Sequence, residues 1–430
     1  MKAKRTTASA GAITLALIGL GGLGLVDAPA VAPIQAPRFE VDPLWPKPFP
    51  NHWILGSATG VVVDARDHIY VVHLTDTFAA RTESGLAQNP PSAECCRPAP
   101  NVLELDASGS LVSSWGGNGA GYQWPTANSG VSIGAKGNVW IGGGGNDDHV
   151  LLEFGRDGKF VRQLGSAGTY VAPPKADTSY ASPAGRGGPA RVGGGVSERS
   201  GCGSTGGPPG AANSANMDGF FGANQVAVDE KANEGYVADG CRNHRIAVID
   251  LASGAIKRVF GAYGNKPDDT PTTYTAGSSP KQFSTVTCAE LASDGLLYVC
   301  DRGNDRVQVF RKDGSFVKEK VLAPSTLGDG SVWDVAFSRD PQQKYLYVAD
   351  GMNARIYVLD RQSLEVITSF GTGGRQPGQF LGVSGIATDS KGNLYTVEAF
   401  EGKRVQKFTF KGVGPVSGTD QGTLWPRSDR

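Results

Sequence analysis

The sequence predicts an all-β fold, a six-bladed propeller of four-stranded antiparallel blades, and three observations lead to this prediction. The 430 residues include 61 glycines and 26 prolines but only 19% charged residues, a composition typical of a turn-rich β protein. Each repeating unit begins with a strand of alternating apolar and polar residues, followed by a turn and a second strand whose pattern recurs in every unit. Two further short strands complete the unit, which indicates an antiparallel meander. Six such units that cover one another's faces form a ring. The repeated strand carries a central aromatic residue in each unit, at Tyr70, Trp140, Tyr236, Tyr298, Tyr347 and Tyr395.

Residues 1–30 differ in composition from the rest of the chain. Lys2, Lys4 and Arg5 precede an apolar stretch, Ala10–Val26, and small residues follow it. This is the order of a secretory signal, and the glycine-containing apolar stretch is short for a membrane span. We therefore predict a secreted or periplasmic protein with no membrane span in its mature part; an uncleaved N-terminal anchor is the alternative.

The remainder, residues 31–425, is predicted to form one monomeric propeller. The sixth unit has only three clear strands, and the alternating stretch Arg38–Asp42 supplies the fourth from the other end of the chain. This strand closes the ring and covers an exposed sheet edge. The predicted blades lie at approximately 53–117, 122–166, 219–262, 283–322, 329–373 and 380–412, the last completed by strand 38–42.

Long insertions mark one end of the ring. A bare blade needs about 40 to 45 residues, and three units exceed this through Phe78–Pro98, Gly168–Met217 and Ala262–Gln282. These insertions join second to third strands, or one blade to the next, and in a meander both connections emerge at the same end. We call this end the insertion face and expect function there. Residues 169–217 are rich in glycine, proline and serine, which predicts a flexible insertion.

A second repeated pattern, Asp–x–x–Asn–x–Arg, precedes the third strand of several units. Asp and Asn side chains bond turn backbone groups, and an arginine pairs with a carboxylate, so we interpret the pattern as scaffold. It resembles the NHL repeat, although His73 and Gly143 replace the Asp in the first two units. The residues that match are Asp301, Asn304 and Arg306, then Asp350, Asn353 and Arg355, and, with one insertion, Asp239, Asn243 and Arg245.

The charge balance bears on the partners. Lys plus Arg and Asp plus Glu both number 41, so the chain lacks the excess of basic residues typical of nucleic-acid binding proteins. We predict no nucleic-acid partner. The expected ligand is a small molecule or a peptide end at the mouth of the central channel.

Several polar residues depart from the repeat near this mouth. Asp334, His73 and Glu398 are the candidate catalytic residues, because they place acid or base groups where other units have Gly or the repeat Asp. Oxygen ligands for calcium are the alternative role for such a ring. The candidate ligand-binding residues are Asn224, Gln225, Arg302 and Trp333.

Three histidines suggest a metal. His73, His149 and His244 all fall in second-to-third connections on the insertion face, where three imidazoles could hold zinc with an open position. The chain also resembles bacterial relatives of peptidylamidoglycolate lyase, six-bladed propellers with a His-ligated metal near the axis. That resemblance implies a metal-dependent lyase or hydrolase, but no histidine opens an inner strand here. Gluconolactonase-type propellers, with Glu, Asn and Asp ligands, offer a second route to a divalent metal.

The six cysteines suggest disulfides in an exported protein. Cys288 and Cys300 are equidistant from a tight turn, so they lie directly opposite each other on a hairpin and can be bridged. Cys202 and Cys241 form a second predicted pair. Cys95 and Cys96 either bond to each other, bond to separate partners or bind a soft metal.

Two classes of function remain. An enzyme, either a lyase or a hydrolase, predicts clustered carboxylates with perturbed pKa values at the channel mouth. A non-catalytic scaffold for a protein or glycan predicts a flat, aromatic-rich face without a convergent polar cluster.

Overall fold

The computed structural model describes residues 34–79, 82–145, 148–165, 212–270, 274–276 and 278–416. Within these residues the protein contains six four-stranded antiparallel sheets, which confirms the predicted six-bladed propeller. The described helices are single 3₁₀ turns at Gly85–Ala87, Ala262–Gly264 and Arg302–Asn304. None of the helices described is long and apolar enough to cross a membrane.

The strands follow the alternating apolar pattern of the sequence. The first part of the chain contains β1 Ile34–Asp42, β2 Trp53–Ile54, β3 Ala58–Val63, β4 Ile69–His73, β5 Arg97–Pro98, β6 Val102–Leu105 and β7 Leu111–Trp115. The next eight strands are β8 Asn128–Ile133, β9 Val139–Gly143, β10 Val150–Phe154, β11 Phe160–Gly165, β12 Ala223–Asp229, β13 Glu234–Asp239, β14 Arg245–Asp250 and β15 Ile256–Phe260. The last eleven are β16 Val286–Leu291, β17 Leu297–Asp301, β18 Arg306–Phe310, β19 Phe316–Val321, β20 Asp334–Phe337, β21 Tyr345–Asp350, β22 Arg355–Asp360, β23 Val366–Phe370, β24 Val383–Thr388, β25 Leu394–Glu398 and β26 Arg404–Val416.

Each blade runs outward from its first strand. The sheets are β3-β4-β6-β7, β8 to β11, β12 to β15, β16 to β19, β20 to β23, and β24-β25-β26-β1. Strands β2 and β5 form a short parallel pair beside the first blade.

The sixth blade closes the ring as predicted, because β1 pairs antiparallel with β26 as its outermost strand. The pairing is longer than the sequence pattern predicted: it extends from Asp42 opposite Lys407 to Ile34 opposite Val416. The register shifts at a β-bulge between Pro37 and Phe39, and β1 pairs with β26 on both sides of it. The glycine-rich end of β26 is therefore a paired strand, since β1 supplies the hydrogen bonds that its composition alone does not favour.

The hydrophobic core consists of six clusters among the described residues, one between each pair of neighbouring blades. The repeated aromatic residue of each blade packs into the gap toward the next blade; Tyr236, for example, belongs to the same cluster as Val299 of the fourth blade. The ring is continuous, because Val61 of the first blade and Val397 of the sixth share one cluster. Burial of each large side chain contributes about 1.5–3 kcal/mol to folding stability, which explains why an aromatic residue recurs at this position in every blade.

The predicted secretory signal over residues 1–30 and most of the predicted insertion 169–217 lie outside the described residues. Cys202 also lies outside them. Monomeric state and export therefore stay predictions.

Candidate functional site

The inner strands converge on a narrow cavity at the insertion face. Its walls are the first residues of β3, β8, β12, β16 and β24, together with Trp333 and Asp334 at the start of β20. Its volume is about 50 Å³, which is room for a few water molecules or one small group. We call this cavity the channel mouth. Six hydroxyl and amide side chains face it: Thr59, Ser129, Asn224, Gln225, Thr287 and Ser384.

Glycine opens several inner strands because neighbouring blades approach closely there. A Cβ atom on Gly130 would lie 2.4 Å from the carbonyl oxygen of Asn224, and one on Gly60 would lie 2.9 Å from the backbone nitrogen of Val131. A side chain at either position would force the blades apart. Where Gln225 and Asp334 replace this glycine, a polar side chain enters the channel.

The channel mouth brings together five residues that the sequence singled out. Asn224, Gln225, Arg302, Trp333 and Asp334 all line it, although they come from three different blades. The sequence pattern placed each of them at the insertion end of its own blade. The ring closure then makes them neighbours.

Asp334 is almost fully buried, with 8% of its surface exposed. Its two carboxylate oxygens accept hydrogen bonds from the backbone N–H groups of Val335 and Ile386, both at 2.9 Å. Burial raises the pKa of Asp334 to about 7, although these two N–H groups favour its charged form. Asp334 therefore exchanges its proton near neutral pH.

Glu290 is a functional candidate that sequence reasoning missed. It lies on β16 three residues beyond Thr287, which lines the channel mouth, and Gln225 Nε2 donates a 2.8 Å hydrogen bond to its carboxyl. Burial, together with the charge of Asp334, raises the pKa of Glu290 to about 8, while Arg339 and Gln225 oppose the shift. A signal was available: Glu290 stands opposite the repeated aromatic Tyr298, where the other blades carry Val, Ser or Ala.

Arg302 and Trp333 form one wall of the channel mouth. Arg302 is 4% exposed, and its guanidinium carbon lies 4.4 Å from the centre of the Trp333 ring. The indole is held in place, because its Nε1–H donates to the carbonyl oxygen of Gly330 at 2.7 Å. Burial lowers the pKa of Arg302, and the nearby charge of Asp329 opposes this shift.

His73 does not reach the channel mouth. Its side chain is fully buried, and its Nδ1 accepts a 3.1 Å hydrogen bond from the backbone N–H of Gly56. Its Nε2 then donates to the carbonyl oxygen of Pro100 at 2.9 Å. Burial lowers the pKa of His73 to about 4, so the ring is neutral and both nitrogens are occupied. This arrangement does not fit the catalytic or metal-ligating role that we predicted for His73.

The role of His73 is that of the repeat Asp, whose position it takes. In the third and fourth blades, Asp239 and Asp301 accept hydrogen bonds of 2.8 Å from the backbone N–H groups of Phe221 and Ser284. Each of these groups belongs to the loop that enters the inner strand of the same blade, as Gly56 does in the first. His73 fastens the same loop with a ring nitrogen in place of a carboxylate oxygen.

Glu398 also serves the scaffold, and it does not line the channel mouth. Its fully buried carboxylate accepts the backbone N–H of Leu381 at 2.7 Å and the Nε2–H of Gln406 at 2.8 Å, and it pairs with Arg404. This carboxylate forms an ion pair with Arg404 and does not line the cavity, which does not fit the predicted catalytic role.

The three predicted zinc ligands are not brought together. His149 Nδ1 lies 3.2 Å from the carbonyl oxygen of Phe220, and His244 Nδ1 lies 2.9 Å from that of Ser284. Like His73, each ring bonds a loop beside its own blade. Within the described part of the chain, no group of three donor atoms closer than 4.8 Å contains His73, His149 or His244.

Two other groups do bring three donor atoms within 4.8 Å of one another: Cys288, Cys300 and Asp334, and Asp64, His68 and Glu104. In the first group the two sulfur atoms are bonded to each other, so they offer no thiolate. In the second, the Arg66 guanidinium already pairs with Asp64 and Glu104 at 2.7 and 2.9 Å. Neither donor set fits the zinc or calcium site that we predicted.

The structure describes two disulfides, one across a hairpin and one between adjacent cysteines. Cys288 and Cys300 stand directly opposite each other on β16 and β17, with their Cα atoms 4.9 Å apart, and they are joined. Cys95 and Cys96 are bonded to each other, the first of the three predicted alternatives. Cys241 is also disulfide-bonded, but its predicted partner lies outside the described residues.

A larger depression of about 440 Å³ lies at the opposite end of the channel. Its wall is formed by the tight turns between first and second strands, and Asp64 there bonds the backbone N–H groups of Arg66 and His68 at 2.8 and 2.9 Å. This carboxylate stabilises its own turn. We therefore place the candidate site at the channel mouth.

No protein-family model and no curated protein sequence matches this chain. Many solved structures align with it, and three of them serve as examples. They are a structural genomics protein of unknown function from Bacteroides thetaiotaomicron (12% identity, 88% of this chain and 76% of that chain, TM-score 0.49), a streptogramin B lyase (9%, 88% and 98%, 0.43) and the WD40 β-propeller domain of Doa1 (8%, 82% and 78%, 0.44). At these identities and TM-scores the likenesses carry no argument about function.

Proposed function

We propose that the protein is an exported propeller that binds a small molecule or the end of a peptide at its channel mouth. The observation that carries this proposal is the convergence of polar side chains from different blades around Asp334, a carboxyl with a pKa near 7. A flat protein or glycan interface has no use for such a buried, convergent cluster. The non-catalytic scaffold is thus the less favoured alternative.

The same carboxyl favours a lyase or hydrolase as the reaction class. A general acid or base works best when its pKa lies near the operating pH. Asp334 meets this condition and lines the cavity, where a ligand can touch it. Glu290, hydrogen-bonded to Gln225 behind the cavity, is a positioning residue, and its pKa of about 8 keeps it mostly protonated at neutral pH.

The resemblance to NHL-repeat propellers and to relatives of peptidylamidoglycolate lyase belongs to this proposal only through the fold and the reaction class. A His-ligated metal is left out of it, because His73, His149 and His244 each bond a separate loop. Elemental analysis of chelator-free protein tests this directly. We expect less than one zinc or calcium per chain; a stoichiometric metal that disappears in Asp334→Asn would contradict us.

Ligand binding is tested by saturation-transfer NMR with a panel of amino acids, dipeptides, organic acids and monosaccharides. Ser129→Phe fills the channel mouth from a half-buried position on β8, whereas Ser325→Phe adds the same ring at an exposed loop position outside it. We expect at least one panel member to bind the wild type and Ser325→Phe but not Ser129→Phe. Equal binding to all three proteins would show that the ligand site lies elsewhere.

Turnover is tested separately on whichever panel member binds. Asp334→Asn keeps the shape of the side chain and removes the titratable proton. At pH 6, where Asp334 of the wild type is mostly protonated, we expect unchanged ligand binding and loss of any conversion of the ligand. A ligand that the wild type binds but does not convert would favour the non-catalytic alternative.

A further inference from the structure

Arg302 differs from the other deeply buried arginines of the repeat. Arg245 and Arg306 are equally buried, but each donates a 2.8 Å hydrogen bond from Nε to a repeat carboxylate. Within the described ranges, the guanidinium of Arg302 has neither an ion pair nor a hydrogen bond, and its Nε is buried without a partner. The guanidinium lies over the face of the Trp333 ring.

A buried cation without an anion costs folding free energy. The ring of Trp333 offsets part of this cost through its π-electrons, and Asp329 acts on Arg302 from beyond ion-pair distance. Because Arg302 lines the channel mouth, an anion that enters the cavity would complete its pairing. The positive charge of Arg302 thus lies where an anionic group of a ligand can pair with it.

The size of the channel mouth limits what can enter. An engineered apolar cavity of about 150 Å³ holds benzene, and the channel mouth has about 50 Å³. A small planar end group fits this space, but a ring or a sugar does not. The rest of a ligand must therefore stay above the mouth, among the insertions.

We propose that the channel mouth recognises a carboxylate group of its ligand, which Arg302 pairs through its guanidinium fork while the Trp333 ring packs against the guanidinium. This inference rests on the proposed function, ligand binding at the channel mouth, and names the ligand class. A carboxylate is planar and matches the two parallel donors of arginine. A phosphate dianion fits less well, because it is tetrahedral and because an ionised Asp334, which lines the same cavity, repels a dianion more strongly than a carboxylate.

The neighbouring carboxyls give carboxylate binding a pH dependence. Asp334 faces the cavity, Glu290 lies behind it, Arg339 acts on Glu290, and Asp329 acts on Arg302. When Asp334 is protonated it is neutral and tolerates a bound carboxylate; when it ionises it repels one. Its folded pKa is raised to about 7, so affinity is highest below that pH and falls as the pH rises through it. Binding that strengthens from pH 6 to pH 8.5 would contradict the proposal.

The test compares sodium acetate with its neutral isostere acetamide, at constant ionic strength with chloride, by thermal unfolding and calorimetry. Arg302→Met removes the charge and keeps contact with Trp333, and Arg311→Met makes the same change at an exposed position. We expect acetate, but not acetamide, to raise the melting temperature of the wild type and of Arg311→Met. Arg302→Met should melt higher than the wild type without acetate and lose acetate affinity at least about tenfold, since a hydrogen-bonded ion pair is lost.

Several results would overturn the carboxylate assignment: an equal response to acetamide, an equal acetate response in Arg302→Met, or no acetate response in the wild type. If Arg302→Met does not fold, Arg302→Lys replaces it, and it should bind acetate more weakly because lysine lacks the fork. If the acetate test fails but a ligand of the NMR panel binds the wild type and not Ser129→Phe, the proposed function stands and only the carboxylate assignment is lost. If the panel ligands bind Ser129→Phe as well as the wild type, both the proposed function and the carboxylate assignment are lost.

Discussion

The buried carboxyl of Asp334 makes a strong prediction about stability. Its pKa rises from 3.8 to about 7 on folding, roughly three pKa units at about 1.4 kcal/mol each. Between these two pH values the folded state holds a proton that the unfolded state has released. The contribution of Asp334 to stability therefore falls with rising pH in this window, by about 4 kcal/mol in total, and levels off above pH 7.

Asp334→Asn removes this pH dependence. The amide has one acceptor oxygen in place of two, so one of the N–H groups of Val335 and Ile386 loses its partner, at a cost of about 1–3 kcal/mol at every pH. We therefore expect the variant to be less stable than the wild type at pH 4 and more stable at pH 8. The pKa of Glu290 falls when the charge of Asp334 is removed, which works in the same direction.

The assay is urea unfolding followed by tryptophan fluorescence at pH 4, 6 and 8. Asp218→Asn is the control, since Asp218 is exposed. The difference in unfolding free energy between Asp334→Asn and the wild type should change sign across the series, while that of the control stays constant. A difference that is the same at pH 4 and pH 8 would refute the reasoning, because Asp334 would then titrate as an ordinary carboxyl.

Three further predictions concern the ring, a histidine and a disulfide. Phe39→Ala removes a half-buried ring of the closing strand and should lower the unfolding free energy by about 2–3 kcal/mol in thermal or urea unfolding; an unchanged value would contradict closure by β1. His73→Ala should destabilise the protein by about 1–3 kcal/mol, because a loop N–H loses its acceptor, yet leave NMR ligand binding unchanged; lost binding in a folded variant would restore a functional role. Cys288 and Cys300 should resist thiol labelling in denaturant without reductant, and full labelling would exclude their disulfide.

Much of the fold follows from short-range pattern. Alternation along a few residues identifies a strand, the aromatic residue identifies its place in the blade, and the missing fourth strand of the sixth unit indicates closure by the segment that begins near Arg38. The length of β1 was underestimated, because Gly412 and Gly414 make the end of β26 look like a loop. Pairing with β1 provides the hydrogen bonds that override this local preference.

The candidate site was predicted only in part. The positions that open the inner strands, such as Gln225 and Asp334, are recognisable because they break the repeat. His73 broke the repeat as well, but its ring bonds the entering loop as a repeat Asp does. A departure from the pattern thus marks either a new function or a new way to perform the old one, and only the contacts of the side chain distinguish the two.

The sequence by itself determined the number of blades, their strand order and the end of the ring that carries the long connections, because each depends on residues within one or two blades. The tertiary structure decided which side chains share the channel mouth, that no residue among those described forms an ion pair with Arg302, and that Asp334 exchanges its proton near neutral pH. These properties depend on how deeply each group is buried and on residues from other blades. Burial and distance across the ring arise only when all six blades have closed.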